Sequence, residues 1–131
     1  LSDGEIQAGQ TWEAAMAAAH YKLDNLTAIV DYNKLQATSR VENEMAVEPL
    51  AAKWRDFGWH VTEIDGHDMR QIVDAIDEAK SVKGKPCMII AHTVKGKGVS
   101  FIENVVEWHA QKVTQEDAKR ALEELQRRKS R

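Results

Sequence analysis

Apolar and polar positions form two different patterns along this chain. The segments Leu26–Asp31 and Cys87–His92 are apolar almost throughout and carry β-branched residues, which is typical of strands covered on both faces. Elsewhere apolar residues recur every three or four positions, a spacing that predicts amphipathic helices. In chain order we predict a helix over Gly9–Lys22, a strand over Leu26–Asp31, a helix from Glu48 and Pro49 to Phe57, a strand over Trp59–Ile64, a helix over Asp68–Ser81, a strand over Cys87–His92 and a last helix from Thr114 to about Arg128.

The alternation of helices and strands with short connections predicts an α/β fold, a parallel sheet layered by helices. Two segments show neither a continuous apolar run nor a helical spacing of apolar residues, and they are predicted to be loops: Asn33–Met45 and Lys95–His109. Three strands are few for such a sheet, and the first helix has no strand ahead of it. We therefore expect residues 1–131 to form one domain, the C-terminal part of an α/β domain that is incomplete at its N-terminus.

Composition narrows the class of protein. The chain of 131 residues has a formal net charge of -3 and no basic surface signature, so we expect neither a nucleic-acid nor a membrane partner. Its one cysteine, Cys87, excludes an internal disulfide and fits a reducing cytoplasm.

Candidate chemistry is concentrated where strands are predicted to end. In parallel α/β sheets, ligands bind beyond the carboxyl ends of the strands. Asp3 and Gly4 precede a helix, Asn33 follows a strand, and the segment Thr93–Gly98 offers two lysines among glycines, with His109 beyond it. Carboxylate and amide oxygens with nearby cations suit a metal–diphosphate site. Taken singly, Asp-Gly is commonly a turn and Lys-Gly-Lys-Gly commonly a mobile loop.

Eight short motifs, in shared order and spacing, resemble the thiamine-diphosphate-binding domain of transketolases. The residues in these motifs are most similar to those of the short bacterial transketolases that are split into two subunits. The motifs are Asp3-Gly4-Glu5, Trp12-Glu13-Ala14, Tyr21–Leu26, Asp31-Tyr32-Asn33, Phe57-Gly58-Trp59, Asp65-Gly66-His67, Thr93–Gly98 and Trp108-His109.

This resemblance implies a metal and cofactor site. Mg²⁺ or Ca²⁺ would be bound by the Asp3 carboxylate, the Asn33 side-chain oxygen and the Leu35 carbonyl, together with oxygens of the thiamine diphosphate. Gly4 would let the backbone approach the diphosphate, so that Gly4 and Asn33 both belong to the cofactor site.

The resemblance also implies roles for three residues outside the metal shell. Lys95 matches a cofactor-contacting lysine. His109 matches a histidine between diphosphate and sugar, which would bind the cofactor and act in catalysis. Glu13 matches a carboxylate at the dimer interface. Three positions depart from the family pattern, because Ser2 stands where many members have glycine, Ala8 replaces an interface glutamate and Ala110 replaces a glycine.

The implied function is transfer of a two-carbon ketol unit between sugar phosphates, as in the pentose phosphate pathway of carbohydrate metabolism. A pyrimidine-binding domain or subunit and a homo-oligomeric assembly are the implied partners. Two alternatives stay open: a non-catalytic interaction module that retains the fold, and another thiamine-diphosphate enzyme such as deoxyxylulose-phosphate synthase or a 2-oxo-acid decarboxylase. Among the other histidines, His92 also ends a strand at the expected site and is a further candidate.

Overall fold

The computed structural model describes residues 1–129, and these form a parallel sheet with helices against both faces. Ser130 and Arg131, the end of the predicted domain, lie outside the described residues. The elements are α1 (Gly9–His20), β1 (Thr27–Tyr32), α2 (Val41–Glu44), α3 (Leu50–Asp56), β2 (His60–Asp65), α4 (Met69–Ser81), β3 (Cys87–His92) and α5 (Gln115–Lys129), with short 3₁₀ helices at Glu5–Gln7 and Val106–His109. The predicted α/β class is confirmed.

The sheet has the strand order β1-β3-β2, and both pairings are parallel. In register, Ile90 of β3 lies between Val30 of β1 and Glu63 of β2. Five consecutive residues of β3, Cys87 to Ala91, are buried, so its continuous apolar run fits the central position with helices on both faces. The carboxyl ends of all three strands therefore lie at one edge.

The prediction that β1 is covered on both faces is wrong within the described residues. Burial alternates along β1, with Val30 fully buried and Ile29 44% exposed. One face of β1 packs in a large core with α1 and α3, whereas α4 packs on the opposite face against a smaller core that includes Ile64 of β2 and Ile89 of β3. The face of β1 that carries Ile29 is therefore not covered by a helix among residues 1–129.

The helix ends differ from the predicted ones for local reasons. The helix α1 ends two residues early, because Lys22 has a φ of 53° and the amide of Leu23 donates back to the carbonyl of Ala18 at 3.0 Å. This is a Schellman motif with a lysine at the position where glycine is usual. The predicted N-cap Asp68 and the capping pair Thr114 and Asp117 are confirmed.

Two short helices lie inside the segments predicted to be loops. The α2 helix and the 3₁₀ helix Val106–His109 have four residues each, too few to show a helical period in the sequence. Nothing helical among residues 1–129 combines the length and apolar character needed to cross a membrane.

Four aromatic residues hold α1, α3 and β2 together in the larger core. Trp12 of α1 lies 5.1 Å from Trp54 and 5.3 Å from Phe57, measured between ring centroids, and Trp54 lies 5.0 Å from Trp59. The indole N–H of Trp59 donates to the carbonyl of Ala15 at 3.0 Å. The cluster fixes α1, and with it the segment before α1 that carries Asp3.

We expect Trp59→Phe to destabilise the protein more than Trp54→Phe. Both rings are buried in the same cluster, but only Trp59 donates to a described residue, whereas the Trp54 indole nitrogen is buried without a partner among residues 1–129. The lost hydrogen bond should make the difference in free energy of unfolding about 1 kcal/mol. Urea unfolding measures it, and equal losses would show that the Trp59 bond contributes nothing.

Candidate functional site

The candidate site begins with the backbone beside β1. The backbone nitrogen of Leu1 donates to the carbonyl of Ile29 at 2.8 Å, and the amide of Asp31 donates to the carbonyl of Leu1 at 3.0 Å. Ser2 forms a parallel bridge with Asp31. The chain therefore runs alongside β1 and delivers Asp3 to its carboxyl end.

Asp3 is 1% exposed and joins two loops through its carboxylate. One oxygen accepts from the amide of Gly4 at 3.0 Å, and the other accepts from the amide of Lys34 at 2.5 Å. The segment before α1 and the loop after β1 are thus held together by one side chain. The strand-end argument correctly predicted that Asp3 and the Asn33 loop meet.

The charge of Asp3 has no cationic partner within the described part of the chain. Burial raises the pKa of this carboxyl, and the two backbone donors only partly oppose that effect. The nearby carboxylate of Asp31 raises the pKa further. A buried carboxylate without a counter-charge is what a divalent cation would stabilise, so Asp3 fits the role of metal ligand.

Asn33 and Leu35 are held rigidly next to Asp3. Asn33 is 9% exposed, and its side-chain oxygen accepts from the amide of Leu35 at 2.9 Å, which leaves that oxygen a second lone pair. Leu35 pairs with Arg40 in an antiparallel bridge whose hydrogen bonds come from flanking residues, so the bridge does not occupy the Leu35 carbonyl. The three predicted ligands therefore lie on one pair of tied loops.

The donor set suits a hard cation with additional oxygen ligands. Among residues 1–129, no three His, Cys, Asp or Glu side chains converge as a metal cluster. The candidate set has instead one carboxylate, one amide oxygen and one carbonyl. Mg²⁺ takes such oxygens and completes its shell with water or phosphate oxygens.

The third loop, which carries Lys95 and His109, is folded and closely packed. The amide of Asn104 donates to the carbonyl of Lys95 at 2.9 Å and closes the loop. Gly96 has a φ of 72°, and a Cβ there would lie 2.5 Å from a methyl of Ile102. The Lys-Gly-Lys-Gly segment is therefore packed against residues that follow it in the same loop.

Neither predicted side chain of this loop is hydrogen-bonded to Asp3, Asn33 or Leu35, the predicted metal ligands. Lys95 is half-buried and forms no ion pair with a described residue, and His109 is exposed at the end of the 3₁₀ helix. Glu13 is exposed on α1. The roles that the resemblance implies for these three residues stay predictions.

Contacts between loops tie the carboxyl edge together. The hydroxyl of Thr93 donates to Asp31, and the amide of Val94 donates to the ring of His67 at 2.7 Å. The amide of Gly66 donates to the carbonyl of His92 at 2.8 Å. His67 therefore connects the loop after β2 to the loop after β3, besides occupying the predicted turn.

A part-buried tyrosine–glutamate pair beside Asn33 was not predicted. The hydroxyl of Tyr32 donates to Glu48 at 2.6 Å, and both line a cleft of about 320 Å³ with Lys34 and Arg40. Burial and Glu48 raise the pKa of Tyr32, while this hydrogen bond lowers the pKa of Glu48. The only signal in the sequence was the position of Tyr32 next to Asn33. Glu48 was predicted only to begin a helix.

His92 belongs to the same side of the sheet but is held by other groups. Its Nε2 lies 3.1 Å from a carboxylate oxygen of Glu63, and its ring meets that of Tyr32 edge-on at 5.5 Å. These contacts give His92 a structural setting at the strand end.

Comparison with known proteins identifies the family. Residues 1–128 match the family described as transketolase, thiamine diphosphate binding domain. The chain belongs to this family. A crystal structure of transketolase from Campylobacter jejuni superposes with a TM-score of 0.88 at 33% identity, over 95% of this chain and 20% of that one. The predicted family and the predicted fold are both confirmed.

Two subunits of split transketolases are among the relatives of this transketolase domain. The chain is 48% identical to a 6-deoxy-6-sulfo-D-fructose transketolase subunit of a Clostridium species, covering 97% of this chain and 46% of that protein. It is 46% identical to an apulose-4-phosphate transketolase subunit of Actinobacillus succinogenes, covering 94% of this chain and 44% of that protein. The chain thus spans less than half the length of these curated relatives.

We expect Tyr32→Phe to destabilise this transketolase domain at neutral pH and much less in acid. The Glu48 carboxylate is favoured in the folded state, so its contribution is full above its ordinary pKa of 4.5 and is lost as the pH falls through the lowered folded pKa. At pH 7 the loss should be no more than about 1 kcal/mol, since Glu48 is screened by solvent.

Urea unfolding between about pH 3 and pH 7 measures this dependence. Tyr21→Phe is the matched control, because Tyr21 is 72% exposed. A Tyr32→Phe loss that stays constant over the whole pH range would contradict the role of Glu48.

Proposed function

We propose that this chain is the part of a transketolase that holds thiamine diphosphate through Mg²⁺, for transfer of a two-carbon ketol unit between sugar phosphates. The observation that carries the proposal is the buried Asp3 carboxylate, which has no cationic partner among the described residues and is tied to the Asn33 loop. Family membership supports the same cofactor. When bound, thiamine diphosphate supplies the carbanion stabilisation that cleavage next to a carbonyl requires.

In this proposal the cation would be held by Asp3, Asn33 and the Leu35 carbonyl, and it would supply the positive charge that binds the diphosphate. Gly4 contributes by lacking a side chain beside Asp3. Its φ is -74°, which any residue adopts, so conformational freedom is not the reason for glycine. Ca²⁺ could replace Mg²⁺ on the same oxygens, because both are hard cations.

The third loop would contribute Lys95 and His109 to the cofactor site. Lys95 would add a positive charge that no described residue neutralises. His109 is exposed at the loop end, so it is accessible to donate to a cofactor oxygen or to move a proton at a sugar oxygen near neutral pH.

The proposed assembly needs a second subunit. Two relatives are named as transketolase subunits, and this chain spans less than half of each. The partner would carry the pyrimidine-binding domain, and the exposed Glu13 on α1 would lie at the interface of a homo-oligomer. A cytoplasmic location is part of this proposal, supported by the buried free thiol of Cys87.

We expect Asp3→Ala and Asn33→Ala each to weaken Mg²⁺-dependent binding of thiamine diphosphate by at least about 100-fold. Substitution of a residue that hydrogen-bonds to a metal ligand typically lowers metal affinity about 10- to 100-fold, and these two substitutions remove the ligands themselves. Isothermal titration calorimetry on the protein with its partner subunit measures the affinity.

Asp74→Ala and Asn25→Ala are the matched controls, because both residues are exposed and neither lies in the tied loops. Circular dichroism checks that the Asp3 and Asn33 variants still fold. Unchanged cofactor affinity in a folded Asp3 or Asn33 variant would remove that residue from the metal shell.

For His109→Ala we expect turnover to fall far more than cofactor affinity. Loss of a positioned proton donor or acceptor typically costs about 10²- to 10⁴-fold in rate, whereas the cation would still hold the diphosphate. A coupled ketol-transfer assay gives kcat, and calorimetry gives the affinity for thiamine diphosphate. His20→Ala is the control on the exposed side of α1, and equal losses of rate and affinity in His109→Ala would assign His109 to cofactor binding alone.

A further inference from the structure

The Gln36 side chain folds back over the backbone next to Asp3. Its Cγ, Cδ and Oε1 atoms each lie 3.4 Å from the position that a Cβ on Gly4 would take. The Gln36 amide group therefore packs against the residue that follows Asp3.

The loop that carries Gln36 is closed by backbone hydrogen bonds on both sides of the Leu35–Arg40 bridge. The amide of Gln36 donates to the carbonyl of Ser39 at 2.8 Å, and the amide of Val41 donates to the carbonyl of Lys34 at 3.1 Å. The side chain is thus presented from a fixed backbone, which lowers the entropy lost when it binds a ligand.

The amide nitrogen of Gln36 is buried and has no hydrogen-bond partner among residues 1–129. Buried side-chain donors are paired in the large majority of cases, so an unpaired one needs an explanation. Trp54 is the other such donor in this part of the chain, and it lies within an aromatic cluster. Gln36 lies instead beside the proposed cation and diphosphate.

We propose that the Gln36 amide donates a hydrogen bond to an anionic oxygen of the diphosphate of thiamine diphosphate. This inference rests on the proposed function. A primary amide carries two N–H donors and no charge, so it can pair with a phosphate oxygen without competing for the cation beside Asp3. It also satisfies the buried nitrogen, which explains why the side chain is held there in a polar but uncharged form.

The test compares two substitutions of nearly equal length. Gln36→Met removes the donor and adds no charge, and Gln36→Glu replaces the donor with a second carboxylate near Asp3. We expect affinity for thiamine diphosphate with Mg²⁺ to fall about 10- to 100-fold in Gln36→Met, the range of a hydrogen bond to a charged group. Gln36→Glu should lose more, because its charge repels the diphosphate.

A second readout separates this role from a structural one. Without cofactor, Gln36→Met should melt at the same temperature as the parent protein or higher, because it removes an unpaired buried donor. A residue that only supports the loop would lose stability and affinity together. Gln10→Met, on the exposed side of α1, and Trp54→Phe, which removes the other unpaired donor, should both leave cofactor affinity unchanged.

The outcomes separate the two proposals when calorimetry and melting are run on the protein with its partner subunit. If the parent protein binds thiamine diphosphate and both Gln36 variants bind it equally well, the role of Gln36 is wrong while the proposed function stands. Tighter cofactor binding in Gln36→Glu would also overturn it, because the side chain would then face the cation. A parent protein without Mg²⁺-dependent binding would overturn the proposed function itself.

Discussion

The carboxylate of Asp3 connects the segment before α1 to the loop after β1. By accepting from the amides of Gly4 and Lys34, it fixes the entry to α1 against the loop after β1. Both hydrogen bonds use backbone groups, so the arrangement does not depend on the identity of the side chains at those two positions. The remaining features of the candidate site, the Asn33 turn and the Gln36 side chain, are arranged around this one contact.

Asp3 is also where stability and function oppose each other. Its burial costs free energy in the ionised form, and the two amide donors offset only part of that cost. Proteins keep such groups mainly at functional sites, since a ligand can recover the cost on binding. In the neighbouring pair of Tyr32 and Glu48 the ionised carboxylate is instead favoured, because Tyr32 supplies a neutral donor that lowers the pKa of Glu48.

Sequence patterns predicted the parts of this molecule that depend on period and position. The unbroken apolar run of β3 marked a buried strand, and the rule that ligands bind at strand ends brought Asp3 and Asn33 to one edge. The exposure of Ile29 was not predictable, because covering a strand face depends on where distant helices pack.

The pattern also failed where a local contact decided the structure. A lysine in the left-handed region ends α1, and four-residue helices leave no periodic signal. Tyr32 and Glu48 are distant in sequence and look ordinary alone, so only a folded backbone brings them into contact.

The strand order has a consequence for the sequence of events in folding. The strands β1 and β2 are not neighbours, and each pairs with β3, which follows both of them along the chain. Every sheet contact is therefore long in sequence, which favours slow closure of the sheet. On the ribosome, the edges of β1 and β2 that pair with β3 stay unpaired until residues 87–92 emerge, so this domain should depend on its helices, or on chaperones, to avoid aggregation until then.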